Sequence, residues 1–150
     1  MSELTGTILL VEDDPNDVLL IQRAFRRASV TNPIQVVGDG EAAVDYLAGR
    51  GPYQDRSSHP LPAIMLLDLK LPRRSGFEVL EWLRRQPGLR RLPVVVFTSS
   101  ALAADIRRAY ELGASSYLVK PLEFDSLQNV LRTLGTYWLG LNQRADLTDD

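Results

Sequence analysis

Ile8-Leu9-Leu10-Val11-Glu12-Asp13-Asp14-Pro15 is an apolar tetrapeptide running into three consecutive acids and a proline. Its apolar part does not alternate with polar residues, as expected of a strand covered on both faces. Asp14 is a natural helix N-cap, and Pro15 suits a first helical position, where no N–H is needed. Val18, Ile21, Phe25 and Ala28 then recur at helical spacing, so the stretch reads as buried strand, turn and amphipathic helix.

The same unit recurs along the chain. Apolar runs at Ile34 to Gly38, Ala63 to Leu67, Pro93 to Phe97 and Ser116 to Val119 alternate with helical segments, such as the one carrying Ala43, Val44 and Leu47. Ser75 with Glu78 offers a capping box, while Gly49 and Gly113 stand where the second and fourth helices should stop. Strand and helix repeated five times predict an α/β fold with a doubly wound five-stranded parallel sheet, its right-handed crossovers placing helices on both faces.

Composition narrows the chemistry. The chain has 150 residues, 45% of them hydrophobic, which suits one domain with one core. Seventeen basic residues against nineteen acidic ones are too balanced for a protein that grips nucleic acid or an anionic membrane through charge. Five arginine pairs, from Arg26-Arg27 to Arg107-Arg108, are scattered rather than gathered into one stripe. There is no cysteine, which excludes disulfides, thiol catalysis and iron–sulfur clusters. The one histidine, His59, lies beside Ser58 and Pro60 without a catalytic motif and is expected at the surface. No apolar run approaches a membrane span and the first residues lack a signal peptide's pattern, so a cytoplasmic location is expected.

In an open parallel sheet, ligands bind beyond the carboxyl ends of the strands. The residues following those ends are Glu12, Asp13 and Asp14, then Asp68, then Thr98 and Ser99, then Lys120 and Pro121. If the first and third strands are neighbours, several carboxylates and one ammonium meet in one crevice. Clustered carboxylates repel unless a cation sits among them, and hard oxygen donors without histidine or cysteine select Mg2+ or Mn2+. A carboxylate can itself accept a phosphoryl group, and a lysine and a hydroxyl can neutralise the phosphoryl oxygens. Of the seventeen basic residues only Lys70 and Lys120 are lysine, and both fall at this edge. The Lys120-Pro121 bond is a candidate cis peptide that would aim the amine inward.

Val11-Glu12-Asp13-Asp14-Pro15, Leu67-Asp68-Leu69-Lys70-Leu71-Pro72 with Ser75-Gly76-Phe77-Glu78, Phe97-Thr98-Ser99, Gly113-Ala114 and Tyr117-Leu118-Val119-Lys120-Pro121 strongly resemble the receiver domain of two-component response regulators. The resemblance implies a flavodoxin-like sheet of order 2-1-3-4-5 and a domain over residues 7–134, between an N-terminal tail (1–6) and a C-terminal helical extension with an acidic end (135–150). It implies that a sensor histidine kinase phosphorylates Asp68, and that Asp13, Asp68 and the Lys70 backbone carbonyl bind Mg2+ or Mn2+, with Glu12 acting through water. Lys120 would pair with the phosphoryl group, and Thr98 and Tyr117 would serve as the switch. The protein would signal rather than act as an enzyme, though assisting its own phosphorylation and dephosphorylation. It would change its surface or pass the phosphoryl group to a histidine phosphotransfer protein. The long polar connection Gly49 to Pro62, the Pro72-Arg73-Arg74 loop and the tail Tyr137-Trp138-Leu139 are similar to single-domain regulators that partner bacterial phytochromes.

Other readings fit less well. A haloacid-dehalogenase-type Mg2+ phosphatase wants a second aspartate two residues after its nucleophile, where this chain has Lys70. A flavodoxin-type carrier needs a glycine- and hydroxyl-rich phosphate loop, which Glu12-Asp13-Asp14 replaces with repulsion. A receiver fold used only for contacts, without phosphorylation, would be expected to lose an acid or the lysine. No such loss is present.

Beyond the domain, Leu127, Val130, Leu131, Leu134, Trp138 and Leu141 continue one helical stripe. Tyr137 and Leu139 add apolar surface on other faces, predicting a homodimer through Tyr137, Trp138 and Leu141. The alternative is a tail that folds back to finish the monomer's own core.

Overall fold

A computed structural model describes residues 5–147. Strand β1 (Ile8–Val11) leads to helix α1 (Pro15–Arg27), β2 (Ile34–Val37) to α2 (Gly40–Ala48), β3 (Ile64–Leu67) to α3 (Gly76–Arg84), β4 (Val94–Thr98) to α4 (Ala103–Glu111), and β5 (Ser116–Val119) to α5 (Phe124–Gly135). The strands form one parallel sheet in the order β2-β1-β3-β4-β5. The chain reverses its direction of growth after β2, so β1 and β3 are neighbours and their carboxyl ends open a crevice at the switch point.

The unbroken apolar runs follow from this layering, because successive strand residues face opposite sides of a sheet covered on both. Leu9, Val11, Met65, Leu67, Val94 and Val96 join Ala43, Leu47, Val79, Leu80, Leu83 and Ala109 on the α2, α3 and α4 side. Ile8, Leu10, Ile64, Leu66, Val95 and Phe97 join Ile21, Phe25, Leu127, Leu131 and Leu134 on the α1 and α5 side. Each fully buried aliphatic side chain stabilises this arrangement by about 1.5–3 kcal/mol.

The helix ends are fixed as their residues suggest. Asp14 accepts from the Asn16 N–H at 2.9 Å with Pro15 first in α1, Ser75 and Glu78 close a capping box, and Gly49 caps α2 at φ 70°. Helix α4 stops at Glu111 with Leu112 as its cap and Gly113 next in the left-handed region (φ 101°), where the Gly113 N–H donates to the Tyr110 carbonyl and the Ala114 N–H to the Ala109 carbonyl, both at 3.0 Å, so the glycine closes the helix as expected. The β-strand ends differ from the apolar runs by a residue at β2, β3 and β4.

Three expectations need correction. The connection after Gly49 is an ordered cap: Arg56 donates to the carbonyls of Tyr46 and Leu47, both at 2.8 Å, and Tyr46 Oη donates to the Pro60 carbonyl at 2.8 Å. His59 is accordingly half-buried, its ring edge-on to Tyr46 and Tyr53 rather than out in solvent. No cis peptide occurs among the described residues. The trans Lys120-Pro121 bond is the lower-energy isomer and still lets the amine point inward.

The third correction concerns the tail. After α5 the backbone widens into a π-helical turn (Thr136–Leu141), with the Asn142 N–H donating five residues back to Tyr137. That extra residue per turn rotates the stripe, so Leu139 enters the α1/α5 core while Leu141 is 65% exposed. Trp138 packs partly against that core and Tyr137 stays exposed. The chain then passes under the sheet, where Arg144 donates to Thr5 and Leu147 packs against the core on the far side. Of the acidic end, 148–150 lie outside the described residues.

Candidate functional site

Register brings the chemistry together. Val11 pairs with Leu67, so Glu12 and Asp68 emerge side by side from β1 and β3, and the Asp68 N–H donates to the Val11 carbonyl at 3.2 Å. Thr98 closes β4 and pairs with Val119, which leaves Lys120 as the first residue past β5. The Lys120 N–H donates to the Thr98 carbonyl at 2.7 Å, fixing where its side chain begins.

From there Lys120 reaches across the crevice. Its Nζ donates to Glu12 Oε1, to Asp68 Oδ2 at 3.0 Å and to Asp17 Oδ2 at 3.0 Å. Glu12 and Asp68 are buried, whereas Asp13 is exposed at the rim. Burial pushes the Glu12 carboxyl above its ordinary range, and the bond and charge of Lys120 oppose this only in part. Burial alone would lower the Lys120 ammonium, but Glu12, Asp68 and Asp17 together hold it above its ordinary value. The lysine is therefore a fixed positive charge.

One carboxylate oxygen each from Glu12, Asp13 and Asp68 lie within 4.8 Å of one another. Three hard oxygen donors sharing a single ammonium leave uncompensated negative charge, which is the chemistry a small divalent cation answers. Asp14 does not join them, since its carboxylate is spent on capping α1. Lys70 contributes backbone to this neighbourhood, its N–H donating to Asp68 Oδ1 at 3.3 Å, while the residue itself is exposed.

Thr98 is fully buried, and its Oγ1 has no hydrogen-bond partner among the described residues. An unsatisfied buried hydroxyl is rare enough to need a reason. Leu67 pairs with Val96, which puts Thr98 one step beyond the level of Asp68, on the rim of the same crevice. Tyr117 turns inward and donates to the Ser100 carbonyl at 2.9 Å. Burial raises its phenol above the ordinary value.

Two participants escaped the sequence reading. Asp17 lies in the first turn of α1, just after the acid run, and that position at the carboxyl edge could have signalled its approach to Lys120. Ser100 has no such signal, because its role is a backbone acceptor for Tyr117 and its hydroxyl bonds Asp105.

Residues 8–132 match the response regulator receiver domain, and the chain belongs to that family. Histidine kinases are the partners of receiver domains. The probable methanogenesis regulatory protein FilR2 of Methanothrix harundinacea is 44% identical over 136 residues, covering 91% of this chain and 85% of that one. Response regulator Rcp1 of Synechocystis sp. is 36% identical over 88% of each, and the crystal structure of its Mn2+-bound form superposes with a TM-score of 0.84 at 33% identity, covering 94% of this chain and 99% of that one. The crystal structure of RPA3017, a response regulator in red light signaling of R. palustris, gives a TM-score of 0.89 at 36% identity, covering 94% and 99%. No helix among the described residues is long and apolar enough to cross a membrane.

Proposed function

We propose that Asp68 is the phosphoacceptor of a two-component phosphorelay, receiving its phosphoryl group from a sensor histidine kinase. The observation that carries this is the Lys120 ammonium held between Glu12 and Asp68 beside the unpaired Thr98 hydroxyl. A carboxylate oxygen of Asp68 forms the new P–O bond as the P–N bond to the kinase's histidine breaks, the bonding pair leaving with the imidazole. Lys120 sits within reach of an oxygen on the transferred group, and Thr98 turns its hydroxyl to another. Asp13, Asp68 and the Lys70 carbonyl would hold Mg2+ or Mn2+, with Glu12 acting through water. Such an ion supplies charge neutralisation on the transferring oxygens.

In this reading the protein is a cytoplasmic signalling domain that assists its own phosphorylation and dephosphorylation without a separate substrate. Thr98 moving toward the phosphoryl group frees space on β4, and Tyr117 responds by trading its bond to Ser100 for another. The altered surface then binds a target, or the group passes to a histidine phosphotransfer protein. A cleft of about 200 Å3 between α1 and the start of α5, lined by Asp17, Leu20, Lys120 and Leu122, adjoins the acceptor. The exposure of Leu20 and Leu122 beside it supports this cleft as the kinase contact. The likeness to RPA3017, a regulator in red light signaling, favours a light-sensing kinase, in this reading a bacterial phytochrome, and phosphotransfer compared between a phytochrome kinase and unrelated kinases checks it.

Self-association belongs to the same proposal, with Tyr137, Trp138 and Leu141 at a two-fold interface. Supporting it is a groove lined by Leu118, Val130, Tyr137 and Trp138 along β5 and α5. Tyr137 and Leu141 are exposed while Leu139 between them is buried, so the interface is tested by sedimentation of the point variants Tyr137→Ala and Leu141→Ser. Both are expected to shift a dimer toward monomer, and a wild type that stays monomeric at high concentration defeats the interface.

The phosphoacceptor reading is checked by intact mass after treatment with acetyl phosphate and Mg2+. Wild type should gain one phosphoryl group, and Asp68→Asn none. Equal labelling of Asp68→Asn sinks the assignment.

A further inference from the structure

The segment Lys70–Ser75 joins Asp68 to α3 without regular secondary structure, yet it is held at both ends. At its far end Gly76 packs so closely that a Cβ there would lie 2.2 Å from the Asp68 carbonyl oxygen. The Gly76 N–H also donates to the Leu69 carbonyl at 2.9 Å. On its outer side the segment meets the first residues of α2. The Gly40 N–H donates to the Pro72 carbonyl at 3.3 Å, and a Cβ on Gly40 would fall 2.2 Å from the Arg74 carbonyl oxygen. Glu41 accepts from Arg74 Nε, and Asp39, which already caps α2, lies 3.8 Å from Arg73. Between these contacts Arg73 has φ 70°, a left-handed conformation that a residue with a Cβ keeps only when its surroundings enforce it.

The Arg73 and Arg74 side chains turn to Asp39 and Glu41 rather than to the acidic cluster. What they share is the loop that carries Lys70, whose backbone carbonyl is a proposed cation ligand. We infer that the amino end of α2, through Gly40 and the Glu41–Arg74 ion pair, is a positioning clasp for the cation site, holding the Lys70 segment in its binding geometry before the ion arrives. A loop free to sample other conformations would have to be ordered on binding, which weakens affinity in proportion to the fraction of time it spends elsewhere. Arg74 and Glu41 are thus positioning residues that act through the backbone. The inference rests on the cation site of the proposed function and adds to it a second element, α2, that sets the site's affinity.

Charge makes the test decisive. Arg74→Gln removes a positive charge from the neighbourhood of a cation site, so electrostatics alone would tighten Mg2+ binding. Loss of the clasp would weaken it. Isothermal titration of the full chain with MgCl2 is expected to show Arg74→Gln binding about three- to tenfold more weakly, somewhat less than the effect typical of groups that directly orient a ligand. Gly40→Ala leaves charge unchanged but displaces the loop, and it should weaken binding in the same direction. Thermal melts confirm that each variant is folded at the titration temperature. Arg74→Gln binding as tightly as wild type or more tightly overturns the inference, as does a folded Gly40→Ala of unchanged affinity. A wild type that takes up no Mg2+ overturns the cation site itself, which separates failure of the proposed function from failure of the clasp.

Discussion

The two edges of the sheet are built to opposite ends. At the carboxyl edge Glu12, Asp17 and Asp68 converge on one ammonium and Thr98 keeps a buried hydroxyl unpaired. At the amino edge the chain's own tail seats Leu139 in one core, bonds Thr5 to Leu139 and Arg144, and rests Leu147 on the other core. One edge carries unsatisfied charge and polarity supported by the fold, and the other carries apolar closure that supports the fold. Damage should separate accordingly. Changes at the carboxyl edge should remove chemistry from a folded protein, and changes at the amino edge should remove stability from a competent one.

The strongest test of that division is Lys120→Ala. Removing the fixed charge at the proposed transfer site is expected to slow phosphorylation by acetyl phosphate about a hundred- to a thousandfold, in the range seen when a preorganised electrostatic donor is lost. The same variant leaves Glu12 and Asp68 facing each other, so its melting temperature should rise on adding Mg2+ more than that of wild type. At the other edge, Leu139→Ala should lower unfolding free energy by about 2–5 kcal/mol, as for other buried leucines. Below its melting range the variant should still be phosphorylated at the wild-type rate. A Leu139→Ala protein that is stable but slow would break the comparison.

Smaller effects sharpen it. Tyr46 is buried under the ordered Gly49 to Pro62 connection, and burial raises its phenol above the ordinary 10.0. A pKa raised on folding means the contribution is fully present below pH 10 and is lost as pH climbs through the folded value. Denaturant melts of Tyr46→Phe should show about 1 kcal/mol less stability at neutral pH, from the lost bond to Pro60. They should also show a flatter decline above pH 10 than wild type, whose buried phenol must ionise there. Least of all, Ser75→Ala should cost about 1 kcal/mol through the opened capping box of α3, again by denaturant melting.

Much of this was legible because local chemistry and global layering agree. The apolar runs became strands since both faces of the sheet are covered, and Asp14, Ser75 and Gly49 sit at helix ends because those ends need their donors, acceptors or left-handed backbone. The acids, Thr98 and Lys120 could be assembled because each directly ends or follows a strand. Where the reading failed, the determining contact was distant in sequence. His59 is drawn inward by Tyr46 and Tyr53, and Asp17 is recruited by a lysine 103 residues away. In the tail, periodicity assumed an unbroken α-helix, and one wide turn exchanged Leu141 for Leu139. The clasp on Arg74 was likewise invisible, since nothing in Gly40-Glu41 marks the loop it holds.

The central claim is that the carboxyl edge exists to place a phosphoryl group on Asp68, and reductive trapping locates that group directly. Borohydride reduces an aspartyl phosphate to homoserine, which peptide mass spectrometry then assigns to one residue. After treatment with acetyl phosphate and Mg2+, the tag should appear at residue 68 and at no other acid of the cluster. A tag at Asp13 or Asp17, or none on a protein whose intact mass has risen by one phosphoryl group, would contradict the account.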